Sequence, residues 1–153
     1  MVTDTLLASM ALLRHQTFIS HKPYRDTSEA LGKQRSFLAS GIDSASDSNN
    51  LFALHDSNNL EAFILFWTEE TSWYGTPCQH CVIHHQPGDK KAIAWLEDQI
   101  IKSKDRFGPH FDLVLDSKYR EILDLFLRIH FNIDALILLG STSSALEALQ
   151  EDT

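Results

Sequence analysis

The chain has 153 residues, a length that suits one domain. Apolar residues make up 43% of it and charged residues 22%, ordinary globular values that argue against wholesale disorder, collagen and coiled-coil architectures. Thirteen Lys and Arg against 21 Asp and Glu leave a net charge of −8, and no dense basic stripe offsets it, so neither a nucleic acid nor an anionic membrane is an expected partner.

The opening Met1-Val2-Thr3-Asp4 lacks the basic segment of a secretory signal. The purely apolar run 135–139 (ALILL) is far too short to span a bilayer. Two cysteines, Cys78 and Cys81, cannot frame a small secreted fold. These features predict a soluble cytoplasmic protein.

Leu6, Leu7, Met10, Leu13, Thr17 and Phe18 recur at helical spacing and predict an amphipathic helix over 4–20. His21-Lys22-Pro23 breaks it, because proline disfavours helix at the residue before it. Thr27 and Ser28 supply cap chemistry for a second helix over 27–40, ending at Gly41. Residues 43–50 (DSASDSNN) read as a loop. Strands follow over 51–55 and 60–68, joined by the polar turn 56–59 into a hairpin. Residues 69–77 form a loop, and 78–85 a third strand.

Gly88 and Asp89 open a helix whose apolar positions Ala92, Ile93, Leu96, Ile100 and Ile101 lie three and four apart. It stops before Gly108-Pro109. A strand over 111–115, a helix over 118–130, a strand over 134–139 and a short helix over 141–149 complete the series. The order α-α-β-β-β-α-β-α-β-(α) predicts an α/β (α+β) layer structure: a mixed, mostly antiparallel sheet with helices on both faces. Residues 1–140 would form one domain, and 141–153 a C-terminal helix or linker.

Cys78-Gln79-His80-Cys81, followed by His84 and His85, is the densest group of soft ligands. Thiolate and imidazole suit zinc, and a Cys-x-x-Cys pair can fill two tetrahedral corners. The second pair of a structural site is missing, and strand alternation sends Cys81 and His85 to one face and His84 to the other. A zinc module on Cys78 and Cys81 is therefore an alternative reading, and no metal is the expected state.

Element order resembles the GNAT (Gcn5-related N-acetyltransferase) superfamily over nearly the whole chain. The sharpest local match is 125–131 (LFLRIHF), which looks like the family's L-Y-x-x-x-G-F segment late in its second core helix. The resemblance implies an acyl-CoA-dependent N-acetyltransferase with acetyl-CoA or another acyl-CoA as cofactor and a small-molecule amine as acceptor. It implies that the CoA pyrophosphate would lie against Gln86, Gly88, Lys90, Lys91 and Ala92, on backbone amides at a helix N-terminus. It makes Glu69, Glu70, His84 and His85 candidates for deprotonating the amine, Glu69, Glu70 and His84 foremost. Trp67, Trp73 and Tyr74 are candidate walls of an acceptor pocket, with core packing as the alternative.

The chain departs from the family pattern in three places. In 86–92 (QPGDKKA) only Gln86 and Ala92 echo the family's Q/R-x-x-G-x-G/A loop; Pro87 has no N–H to donate, and Asp89 brings a negative charge to the phosphate position. Plain capping by Asp89 or Gly88, with the lysines solvated, is the alternative reading of that stretch. The family's general-acid Tyr is replaced by Phe126, which has no proton to give, and Tyr119 lies two turns away, about 10 Å along the axis. The set of strands is short at both ends. These departures imply a domain weakly active or inactive alone. They equally fit a non-catalytic companion, such as the amino-terminal half of a tandem GNAT protein, partnered by a second GNAT domain or by its own copy in a homodimer.

Overall fold

A computed structural model of the chain describes residues 3–19, 26–44, 50–69, 78–107, 111–113 and 120–128. Helix α1 (Asp4–Ile19) and helix α2 (Ser28–Ser44) come first. Strands β1 (Leu51–Asp56), β2 (Asn59–Glu69) and β3 (Cys78–His85) follow. Helix α3 (Lys90–Lys102), a 3-10 turn (Lys104–Phe107), strand β4 (Phe111–Leu113) and helix α4 (Arg120–Arg128) complete the described elements. The strand expected over 134–139 and the helix expected over 141–149 lie outside the described residues, as do 114–119, including Tyr119.

The sheet has the order β1-β2-β3-β4. The first two pairings are antiparallel, and β3 pairs β4 in parallel through Gln79–Phe111, His80–Asp112 and Cys81–Leu113. A parallel neighbour needs a long crossover, and α3 supplies it. Helices cover both faces, because side chains along each strand alternate. Ala62, Ile64, Phe66, Cys81 and Ile83 face α3 and α4, where they pack on Leu96, Ile100, Ile122, Leu125 and Phe126. Phe63, Leu65, Trp67 and Val82 face α1 and α2, where they pack on Met10, Leu13 and Leu38. Each of these large side chains, fully buried, contributes about 1.5–3 kcal/mol of apolar transfer.

Helix α2 does not end at Gly41 as its glycine suggested; it continues to Ser44. The glycine serves an approach, not a stop. A Cβ at Gly41 would sit 2.7 Å from Trp67 Cζ3, so only a bare Cα lets the helix lie against the indole. The β1–β2 turn is two residues, Ser57 and Asn58, with Ser57 in the left-handed region at φ 56°.

Beyond that turn the β1–β2 register slips. Leu54 opposes Ala62 but His55 opposes Leu60, so Glu61 is an extra residue bulged out of β2. Its carbonyl accepts from the Gln86 N–H at 2.8 Å, and the Gln86 side chain donates to the Leu60 carbonyl at 3.2 Å. The bulge therefore fixes the end of β3 and the start of the loop that leads into α3.

Candidate functional site

Strand β3 ends at His85, and four residues turn the chain into α3. Gln86-Pro87-Gly88-Asp89 is a type II turn: the Asp89 N–H donates to the Gln86 carbonyl at 3.2 Å, and Gly88 takes the required positive φ of 72°. Pro87 presets the turn and removes one amide. Asp89 is then the N-cap of α3. Its carboxylate accepts from the Ala92 N–H at 3.0 Å and also from the Lys91 N–H. The positive end of the helix thus already holds an anion, contributed by the chain itself.

A second carboxyl adjoins it. The bulge aims the Glu61 side chain at Asp89, and the two are hydrogen-bonded. The Glu61 pKa is raised, first by that bond, then by desolvation and by the charges of Asp89 and Asp56; Lys91 opposes this. Asp89 is held below the usual carboxylate range by its bond to Glu61 and by the backbone donors. Lys90 and Lys91 are exposed. Of the residues expected to cradle phosphate, Gln86 ties the loop to β2, Gly88 makes the turn, and the amides of Lys91 and Ala92 are engaged by Asp89. An open cleft of about 490 Å³ adjoins this loop, lined by Ser9, Leu13, Gln16, Asn59, Glu61 and Gln86 among others.

His84 is shut off from solvent: it is 1% exposed, beneath α1. Its Nε2 is 2.9 Å from Arg14 Nη1. A guanidinium only donates, so Nε2 accepts and the ring proton sits on Nδ1. The lone pair that a general base would use is engaged by Arg14. Arg14 itself is 6% exposed, donates from Nε to Gln34 Oε1 at 2.6 Å and stacks over Phe37 with 4.4 Å to the ring centroid. Burial lowers its pKa to about 10, which still leaves it charged at neutral pH. Arg14 and Glu61 are not among the residues that motif or residue type singles out in the sequence. Arg14 sits four residues after Met10 on the apolar stripe of α1, and that spacing was the available signal for a buried cation.

The remaining candidates spread out. Glu69 is the last residue of β2, opposite Cys78, while Glu70, Trp73 and Tyr74 lie outside the described residues. Trp67 is in the core, 4.5 Å from the His80 ring and 5.6 Å from Phe37 between centroids. His85 is buried, and its Nδ1 donates to the Gln86 carbonyl at 2.8 Å. Cys78 and Cys81 are buried free thiols three residues apart on one strand, hence on opposite faces, and cannot share one ion. Burial raises the Cys81 pKa well above the usual thiol value, so it is a core thiol and not a thiolate ligand. Among the described residues no group of three His, Cys, Asp or Glu is placed to hold a metal, and no helix is long and apolar enough to cross a membrane. Phe126 is 4% exposed within the α3/α4 core.

No protein-family model matches the sequence, and no curated protein does. Solved structures match in fold. PH1933 from Pyrococcus horikoshii OT3 superposes with a TM-score of 0.66 at 15% identity, covering 90% of this chain and 88% of that one. An aminoglycoside antibiotic 6'-N-acetyltransferase, AAC(6')-IG from Acinetobacter haemolyticus, gives 0.54 at 10% identity, covering 92% and 94%. A predicted acetyltransferase solved with acetyl-CoA, from Clostridium acetobutylicum, gives 0.51 at 16% identity, covering 90% and 92%. The chain therefore has a GNAT-like fold.

Proposed function

We propose that this is an acyl-CoA-dependent N-acetyltransferase-type domain whose own CoA site is closed by its sequence, so that alone it transfers acyl groups weakly or not at all. The observation that carries this reading is the Asp89 carboxylate on the Lys91 and Ala92 amides at the start of α3. A pyrophosphate approaching those amides meets a fixed negative charge, with Glu61 and Asp56 close behind it. Two further features support the reading. Pro87 deletes an amide from the loop. Phe126 leaves the family's proton-donor position without a proton.

In a productive relative of this fold, bound acyl-CoA would supply the thioester, and the protein would position an amine and protonate the leaving thiolate. Here the exposed Lys90 and Lys91 are the groups available to attract phosphate. The test is thiol release from acetyl-CoA with a panel of primary amines, including polyamines and aminoglycosides. Turnover no faster than the uncatalysed reaction is expected. Saturable turnover lost in Lys90→Ala or Lys91→Ala would overturn the proposal and establish an active enzyme.

A further inference from the structure

Strand β1 is an edge of the sheet among the described residues, with β2 as its one neighbour. Leu51, Phe52, Ala53 and Leu54 are half-buried along it, and it carries no Lys, Pro or bulge of its own. Such an edge presents a row of backbone donors and acceptors ready to pair with another strand, and proteins that keep an edge solitary usually blunt it with those devices.

The two ends of this edge carry opposite charge. At the start of β1, Arg106 donates to Asn50 Oδ1 at 3.2 Å and lies over the Phe52 ring, 5.2 Å from its centroid. At the end of β1 stands Asp56, exposed and close enough to Glu61 to raise its pKa, with Asp89 hydrogen-bonded beyond. An antiparallel partner of the same sequence brings unlike ends together, and a two-fold axis does so twice.

Register and facing agree with this. In an antiparallel ladder, opposed residues either both point their backbone groups at each other or both point them away. Two-fold pairing of β1 with itself must therefore centre on a residue and not on a peptide bond. Centred on Ala53, it opposes Phe52 to Leu54 of the partner subunit and Asn50 to Asp56 of the partner subunit. Directly opposed residues share a face. Phe52 and Leu54 face α3 and α4, as does Arg106 through its stacking on Phe52. Asp56 follows Leu54 by two residues and lies on that same face. Each copy's Asp56 would thus reach the other's Arg106.

We infer that the chain forms a two-fold homodimer by antiparallel pairing of β1 edges centred on Ala53, with reciprocal Arg106–Asp56 pairs closing both ends of a continuous sheet. This does not depend on the acyltransferase reading.

The test is sedimentation equilibrium of the full chain, with circular dichroism and a melting curve on every variant to confirm folding. The wild type should be a monomer–dimer system. Asp56→Arg and Arg106→Asp should each weaken the dimer by about tenfold or more, because two pairs are lost and two repulsions gained. The double variant, Asp56→Arg with Arg106→Asp, restores opposite charges and should recover most of the affinity. Ala53→Pro should abolish dimers, as it removes the N–H at the axis. A wild type that stays monomeric at several hundred micromolar would overturn the inference; that would be the result if the edge pairs with a different domain. So would a dimer indifferent to all four variants.

Discussion

Arg14 of α1 and His84 of β3, 70 residues apart in sequence, meet at 2.9 Å in the interior between helix and sheet. One is a cation, so the other must stay neutral. Desolvation first, then the Arg14 charge, then His85 hold the His84 pKa well below the ordinary histidine value.

The direction of the resulting pH dependence follows from linkage. The folded state keeps His84 neutral, while the unfolded chain takes up a proton near the ordinary value of about 6.5. The stability that His84 contributes is complete above that value. It falls as pH drops below it, with a limiting slope of about 1.4 kcal/mol per pH unit. His84→Gln keeps an acceptor for Arg14 but cannot titrate. Urea unfolding between pH 7.5 and 5 should therefore show a slope smaller by about one proton in the variant than in the wild type. Equal slopes would mean that His84 is not the buried neutral group described.

The two glycines of α2 make a contrasting pair. Gly32 has nothing within 4 Å of a would-be Cβ, and Gly41 has Trp67 at 2.7 Å. Gly32→Ala should stabilise the protein by about 0.5–1 kcal/mol through helix propensity. Gly41→Ala should destabilise it by about 1–3 kcal/mol, because a buried indole must move. Midpoints of urea denaturation decide both.

Asp89 and Glu61 predict a titration signature. Asp89→Ala removes a cap, at a cost of about 1 kcal/mol of stability. It also removes the bond that raises the Glu61 pKa. A carboxyl-detected NMR titration should show Glu61 moving down toward the ordinary glutamate range in that variant. A Glu61 pKa that does not move would separate the two carboxyls.

Much of the fold was legible because hydrophobic spacing is local. The β3 limits, Cys78 to His85, and the alternation that separates Cys81 and Ile83 from Val82 and His84 followed from period-two reasoning. The end of α2 is not legible in the sequence, since glycine marks both helix stops and close approaches, and only tertiary contact with Trp67 distinguishes them. The site was legible in part. Asp89 as a cap follows from residue type and position. Its bond to Glu61 does not, because it requires a bulge that places residue 61 beside residue 89. Arg14 was invisible for a similar reason: a lone arginine on an apolar stripe acquires its meaning from His84, Gln34 and Phe37, which come from other elements.

On the proposed reading, the Asp89 carboxylate occupies the amides at the start of α3 that would receive pyrophosphate. Calorimetric titration of the wild type and of Asp89→Gly with acetyl-CoA, with coenzyme A as control, tests it most directly. Glycine is a tolerated cap and should leave α3 intact. The wild type should give no saturable heat up to millimolar ligand, and Asp89→Gly should bind measurably. Micromolar binding by the wild type, unchanged in Asp89→Gly, would contradict it.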